Sequence, residues 1–202
     1  MIAIRLGYHA SNGNIHMQIE TNKKLFTVDE YYRMAEAGIL GPEDRVELID
    51  GEIIQMSPIG NRHVGCVNRA TQLFVQAFTG RATVSVQHPL QLSNYTEPEP
   101  DVVLLKFRAD FYTNKKVWAE DALLVVEVSD TTLRYDRNVK LPRYALARIP
   151  EVWIENLTSD ELLIFRDPIN GAYSTTLVLR RGDSVAPLAF PESVFKVDDL
   201  LG

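Results

Sequence analysis

Short apolar runs separated by polar turns dominate the hydrophobic pattern of the chain. Residues 123–130 are mostly apolar and rich in valine, which is typical of a strand covered on both faces. Residues 102–105 form a second apolar run, and residues 151–156 form a third, in which Trp153 is expected in the core. The pattern therefore predicts a sheet whose central strands are buried.

Two dipeptides signal hairpins with two-residue turns. Asp50-Gly51 and Asn170-Gly171 each separate a pair of apolar segments, and such dipeptides suit the positive φ angles of these turns. The strands predicted beside these turns, and two further short ones, span residues 45–49, 52–56, 82–86, 90–92, 162–166 and 173–180.

Apolar residues at a spacing of about 3.6 predict helices. The first helix opens at Thr27, an N-cap residue, and Glu30 three positions later completes a capping box. His63, near the start of the second helix, is expected to be a surface or capping residue rather than a ligand. The predicted helices span residues 28–37, 61–79, 136–147 and 191–201.

Strands and helices alternate along the chain without internal repeats or low-complexity segments. We therefore predict an α/β fold, with a mixed β-sheet flanked by helices on both sides in one domain over residues 25–202. At 46% hydrophobic residues the chain can bury a full core. Residues 1–24 hold turn-forming residues and no strand with an evident partner, so they are predicted to be an N-terminal extension, with Met17 as an alternative start.

Glu127 interrupts the longest apolar run. A buried carboxylate is costly to ionise unless a cation, a metal or strong donors meet it, so Glu127 is a candidate site residue. Alternatively, it pairs with a neighbouring arginine or lies at the solvent end of its strand. Asp101 stands at the mouth of the other buried strand, and carboxylates on adjacent strands, about 4.8 Å apart, can share one divalent ion.

The helix after this strand supplies a cation. Asp136, Lys140 and Tyr144 are spaced i, i+4, i+8 and share one stripe of a helix, from which Lys140 can reach back towards the buried carboxylate. Pro142 is tolerated only in the first turns of a helix. We therefore expect this helix to begin close to Asn138, with Asp136 as a capping or pre-helical residue.

These features together resemble the PD-(D/E)XK nuclease superfamily. Pro100-Asp101 is followed by Glu127-Val128-Ser129, and the expected lysine is displaced from position 129 to Lys140 on the next helix. More closely, the chain resembles the Uma family of restriction endonuclease-like proteins, a domain of unknown function, from residue 26 to the C-terminus. The segments that carry this resemblance are 26–31, 46–53, 56–58, 99–102, 126–129, 136–140 with Tyr144, and 150–154. Asp130 and Leu133 depart from the family pattern, and neither is a proposed ligand.

The resemblance implies metal-dependent hydrolysis of nucleic-acid phosphodiester bonds, with DNA the favoured substrate and Mg²⁺ or Mn²⁺ the ion. The implied catalytic residues are Asp101, Glu127 and Lys140. The implied metal ligands are Asp101, Glu127, the Val128 carbonyl and, with lower rank, Glu47, which otherwise pairs across its hairpin. The implied supporting groups are Asp136, Tyr144, Ser129 and Gln87, the last of which is alternatively a polar strand-end residue. The resemblance also implies a homodimer or higher homo-oligomer, since restriction-like nucleases that cut both strands commonly use two sites.

The charge distribution bears on a nucleic-acid partner. The net charge is −6, whereas affinity for nucleic acid comes largely from Lys and Arg. Residues 61–150 carry 12 Lys and Arg against 9 Asp and Glu, which leaves −9 for the two ends. Arg134, Arg137 and Arg143 near the candidate site are predicted to contact phosphates, and the alternative is an ordinary solvated helix face.

The composition of the chain bears on its localisation and on its possible functions. No apolar run reaches about 18 residues and no secretory signal pattern is present, so a membrane partner is not expected. Cys66 is the single cysteine, which excludes an internal disulfide and favours a cytoplasmic protein with a buried, inert thiol.

The main alternative function is a catalytically inactive binding or assembly module with the nuclease fold, which the acidic charge favours. Hydrolysis of a small phosphoester is a third possibility.

Overall fold

A computed structural model describes residues 23–41 and 43–202. The predicted N-terminal extension, with Met17, lies outside the described residues except for its last two positions. The described strands are β1 (Val46–Ile49), β2 (Glu52–Gln55), β3 (Ala82–Val86), β4 (Val102–Lys106), β5 (Ala122–Ser129), β6 (Glu151–Asn156), β7 (Glu161–Ile169), β8 (Ala172–Arg180), β9 (Ser184–Val185) and β10 (Phe195–Lys196). The described helices are α1 (Val28–Glu36), α2 (Asn61–Phe78), α3 (Leu133–Tyr135), a π turn (Asp136–Lys140), α4 (Leu141–Leu146) and α5 (Val197–Leu201), with a 3₁₀ turn at Ala119–Asp121.

A six-stranded mixed sheet forms the centre of the fold, in the order β3-β4-β5-β6-β7-β8. Only β5 and β6 run parallel, and the helical segment from Leu133 to Leu146 makes the crossover between them. The hairpins at Asp50-Gly51 and Asn170-Gly171 are present, and Thr27 and Glu30 form the capping box of α1. The predicted mixed sheet is confirmed.

Helices cover both faces of this sheet, as predicted. On the first face, α2 and α5 pack over a cluster that contains Phe74, Phe78 and Trp153, all fully buried. Cys66 lies in the same cluster, and burial raises the pKa of its thiol. On the second face, α4 packs Tyr144 against the other strand residues.

The alternation of side chains along β5 decides where its acidic residue points. Leu124, Val126 and Val128 belong to the first cluster, while Val125 belongs to the second. Because side chains two positions apart share a face, Glu127 lies on the same face as Val125 and points towards the crossover helix.

Three predictions about local elements were wrong. Residues 90–92 form no strand, and Gln91 makes a single bridge to Trp118. The C-terminal helix is only α5, preceded by the short strand β10. The crossover helix begins at Leu133 rather than near Asn138, because a π turn over Asp136–Lys140 widens the helix just before Pro142. Within the described residues, no helix is both long and apolar enough to span a bilayer.

Candidate active site

Asp101 and Glu127 meet at one end of the sheet, as the sequence predicted. Val102 of β4 pairs with Val126 of β5, so the antiparallel register places Asp101 opposite Glu127, one residue further along. Glu127 is 2% exposed, and both carboxylates line a cleft of about 740 Å³. The two acidic groups therefore share one opening to solvent.

Lys140 lies between two buried carboxylates. Its Nζ is 3.2 Å from Glu127 Oε1 and 3.3 Å from Glu47 Oε2, and the residue is 5% exposed. Tyr144, one turn later, donates its hydroxyl to Glu127 Oε1 at 2.5 Å. The helix stripe thus brings both Lys140 and Tyr144 to Glu127, which pairs with the lysine rather than with an arginine.

Burial and these neighbouring charges shift the pKa values of Glu127, Lys140 and Tyr144. Burial raises the pKa of Glu127 to about 8, although the positive charge of Lys140 opposes the shift. Burial alone would lower the pKa of Lys140, but the charges of Glu127 and Glu47 outweigh it and raise the pKa above its usual value. Burial and the Glu127 charge raise the pKa of Tyr144 as well. Lys140 is therefore an ammonium group and Tyr144 a protonated donor at neutral pH.

Three donors hold the Asp101 carboxylate. The Val128 N–H donates to Oδ2 at 2.8 Å, His63 Nε2 lies 3.1 Å from the same oxygen, and Gln87 Nε2 donates to Oδ1 at 3.3 Å. An ionised carboxylate only accepts hydrogen bonds, so Nε2 of His63 carries a proton in this contact. The His63 side chain is 14% exposed. The expectation that His63 is a surface or capping residue was wrong, because α2 directs it at Asp101.

Asp136 lies inside the helical segment, not before it. Ser129 Oγ and Thr132 Oγ1 each donate to its Oδ2 at 2.7 Å, and burial raises its pKa. It makes no ion pair with Lys140 within 4 Å in the described chain, although its charge adds to the fields that raise the lysine pKa. Ser129 and Asp136 thus fix the start of the crossover helix against the end of β5.

Glu47 does not pair across its hairpin, and its carboxylate has hydrogen-bond and ion-pair partners. Tyr135 donates its hydroxyl to Glu47 Oε1 at 2.9 Å, and the Glu99 N–H donates to Oε2 at 3.1 Å, the oxygen that also meets Lys140. Sequence reasoning found Glu47 but missed Tyr135 and Glu99. No local pattern links these residues, since they come from three separate segments.

The predicted phosphate-contacting arginines have different surroundings. Arg134 is exposed and lines the cleft. Arg143 forms an ion pair with Asp50 and donates to the Val139 carbonyl at 2.7 Å, and Arg137 is exposed but not part of the cleft lining. Of the three, only Arg134 lines the cleft that the two carboxylates share.

Glu155 is a buried acid that the sequence reasoning did not single out. It lies two positions after Trp153 on β6, is 0% exposed, and neither carboxyl oxygen has a hydrogen-bond partner among the described residues. Burial, with a smaller contribution from Asp101, raises its pKa well above the usual value of 4.5. Burial thus favours the neutral form of this carboxyl group.

The donor set suits a hard divalent ion. Asp101 and Glu127 offer carboxylate oxygens, and Glu127 Oε2 makes no hydrogen bond within the part of the chain that the structure describes. Val128 lines the same cleft, and its N–H faces Asp101. Because the N–H and C=O of one strand residue point to the same side of the strand, the Val128 carbonyl is also directed to the Asp101 side. Over residues 23–41 and 43–202, no three His, Cys, Asp or Glu side chains form a ready-made metal cluster. One or two carboxylates with retained waters are the ligands that Mg²⁺ commonly takes.

The mixed sheet, the flanking helices and the position of this cleft define a fold of the restriction-endonuclease-like nuclease class. A putative nuclease of DUF820 from Anabaena variabilis has a similar structure, with a TM-score of 0.69 and 15% sequence identity over 87% of this chain and 97% of that chain. The family model of Uma2, described as putative restriction endonuclease, matches residues 28–198, and the chain belongs to this family. No protein with a curated description matches the sequence.

Proposed function

We propose that this protein is a divalent-metal-dependent endonuclease that hydrolyses nucleic-acid phosphodiester bonds, with DNA the favoured substrate. The observation that carries the proposal is the convergence of Asp101, Glu127 and Lys140 at one cleft, from two adjacent strands and the crossover helix. Membership of a family of putative restriction endonucleases supports the same reaction class.

Asp101, Glu127 and the Val128 carbonyl are the proposed ligands of a Mg²⁺ or Mn²⁺ ion. When bound, such an ion lowers the pKa of a coordinated water and offsets the charge that develops on the phosphate. Val128 N–H, His63 and Gln87 hold the Asp101 carboxylate in one orientation, which reduces the entropy lost on ligand binding.

Lys140 acts in this proposal as a fixed positive charge. Because Glu127 and Glu47 keep it protonated, it is poorly suited to take a proton from water and well suited to stabilise negative charge on the reacting phosphate. Glu47 also pairs with Lys140, which assigns it a positioning role rather than that of a first-choice metal ligand.

A plasmid-nicking assay with Mg²⁺ or Mn²⁺, paired with metal titration by calorimetry, tests the proposal. We expect Lys140→Ala to bind the metal but lose cleavage, whereas Asp101→Ala loses both. The matched controls are Lys106→Ala and Asp29→Ala, which change exposed residues outside the cleft and should keep wild-type behaviour. Equal cleavage by the wild type and both site variants would refute the assignment.

The alternative is a binding or assembly module with an inactive nuclease fold, which the net charge of −6 favours. Absence of both metal binding and nicking in the wild type would support this module. Sedimentation tests a separate part of the proposal, a homodimer, which cutting both strands of a duplex would commonly require.

A further inference from the structure

The lining of the cleft includes apolar side chains that the proposed chemistry does not use. Four of them are aliphatic and form what we call the apolar wall: Ile54, Met56, Ile59 and Val139. Ile59 is 36% exposed, and the other three are half-buried. A site for phosphate chemistry alone does not need such a surface, but the flat face of a nucleobase packs well against apolar side chains.

Few positive charges line the same cleft. Lys140 lines the cleft but is paired with Glu47 and Glu127. The other positively charged residues in the lining are Arg45 and Arg134. Arg45 donates to the Ser57 carbonyl at 3.1 Å, and neither arginine has an ion pair with any described residue. The cleft therefore offers about two phosphate contacts, whereas a protein that grips duplex DNA typically makes 6–10.

The size of the cleft agrees with a small occupant. Its volume of about 740 Å³ lies within the range of pockets that enclose small molecules, roughly 300–1,000 Å³. Specific duplex recognition instead covers about 1,000–2,500 Å² of protein surface. Of the two arginines next along the chain, Arg143 is paired with Asp50 and Arg137 lies outside the cleft lining.

From these three observations we infer that the cleft receives an unpaired nucleotide, with its base against the apolar wall and its phosphates beside Arg45 and Arg134. The substrate class is then single-stranded nucleic acid, or an unpaired end or flap, rather than continuous duplex. This inference rests on the proposed nuclease function for its chemistry, but it is a statement about binding and is measurable without cleavage.

Fluorescence anisotropy in the presence of EDTA measures the binding of labelled 20-nucleotide DNA as a single strand and as a blunt duplex. We expect the single strand to bind more tightly. Two phosphate contacts predict a slope of log K against log salt of about −1.4, compared with about −5 to −9 for a duplex with 6–10 contacts. Arg134→Gln should reduce the single-strand slope by about 0.7.

Substitutions in the apolar wall provide a matched test. Ile59→Ala should weaken single-strand binding several-fold, whereas Ile59→Trp should strengthen it by about 5-fold or more, since base stacking on an aromatic ring is worth about 1–3 kcal/mol. Ile39→Ala is the control, because Ile39 is 69% exposed and lies outside the cleft lining.

The outcomes separate the two proposals. Tighter binding of duplex with a slope steeper than about −5, no binding of either DNA at low salt, or no effect at Ile59 would each overturn the unpaired-strand inference. Nicking of duplex DNA in the metal assay would then still support the nuclease. Conversely, selective single-strand binding without cleavage of any DNA in Mg²⁺ or Mn²⁺ would support the inference and refute the proposed catalysis.

Discussion

Replacing Lys140 by methionine would leave the carboxyl groups of Glu47 and Glu127 without the cation that lies between them. Lys140 is 5% exposed, and its Nζ lies within 3.3 Å of an oxygen of each glutamate. Removing one partner of a buried ion pair costs about 3–5 kcal/mol, because the remaining charge is uncompensated. We expect the free energy of unfolding of Lys140→Met to fall by about this amount at pH 9, which lies above the pKa of Glu127 in the wild type.

The loss should be smaller in acid. The pKa of Glu127 is raised to about 8, so at pH 6 this group is protonated in the wild type and in the variant. Loss of Lys140 removes an interaction that lowers this pKa, so the pKa of Glu127 rises further in the variant. Stability that depends on a raised pKa is lost as the pH rises through the folded-state value. The difference in the free energy of unfolding between the wild type and the variant therefore widens above pH 8. It grows by about 1.4 kcal/mol for each unit by which the pKa of Glu127 is higher in the variant.

Urea denaturation at pH 6, 7.5 and 9, followed by tryptophan fluorescence, measures the effect. Trp153 is 0% exposed, so its emission reports loss of the core. Lys106→Met is the matched control, because Lys106 is an exposed lysine at the end of β4. The double variant Lys140→Met/Glu127→Gln should recover part of the stability at pH 9, since it removes one of the two unpaired charges.

A loss below about 1 kcal/mol at pH 9, equal to the loss at pH 6, would refute this reasoning. It would mean that Lys140 does not stand between two buried carboxylates in solution. The electrostatic role proposed for it in catalysis would then lose its basis.

Further predictions concern the other buried groups. His63→Ala should lower the affinity for Mg²⁺ by about 10–100-fold in calorimetry, with partial recovery in His63→Gln and no change in the control Val64→Ala; unchanged affinity would contradict its hold on Asp101. Mg²⁺ affinity should rise by up to tenfold per pH unit from pH 6 to about 8 and then level off, because the ion competes with the proton on Glu127; a flat profile would exclude Glu127 as a ligand. Glu155→Met should raise the free energy of unfolding by about 1–3 kcal/mol, because it removes a buried carboxyl group that has no hydrogen-bond partner in the described part of the chain. That gain should grow as the pH rises above 4.5, since the raised pKa makes the wild type lose stability there; equal urea midpoints at every pH would contradict it.

Local patterns predicted the two strands that carry the carboxylates. The apolar runs identified β4 and β5, and the step from Pro100 to Asp101 placed an acid at the mouth of the first. The helical spacing put Lys140 and Tyr144 on one stripe, and in the structure Lys140 reaches Glu127 as expected, while Tyr144 donates to Glu127 rather than to Lys140. These inferences succeed because side-chain direction repeats every two residues in a strand and every 3.6 in a helix.

Other features of the site lay beyond local patterns. The π turn at Asp136–Lys140 has no sequence rule as clear as a helix cap, so the start of the crossover helix was misplaced. Residues 90–92 have the composition of a strand, but tertiary packing leaves Gln91 with a single bridge instead.

By itself, the sequence determined the class of fold, the hairpins and the first helix, and it selected Asp101, Glu127 and Lys140 as candidate site residues, because each inference depends on periodicity or on contacts within a few positions. Only the tertiary structure decided that His63 holds Asp101 across 38 positions, and that Glu47 meets Lys140. It also decided that the buried Glu155 carboxyl has no hydrogen-bond partner among the residues that the structure describes. These contacts depend on how α2, the first hairpin and the crossover helix pack around the sheet, and no spacing along the chain encodes that packing.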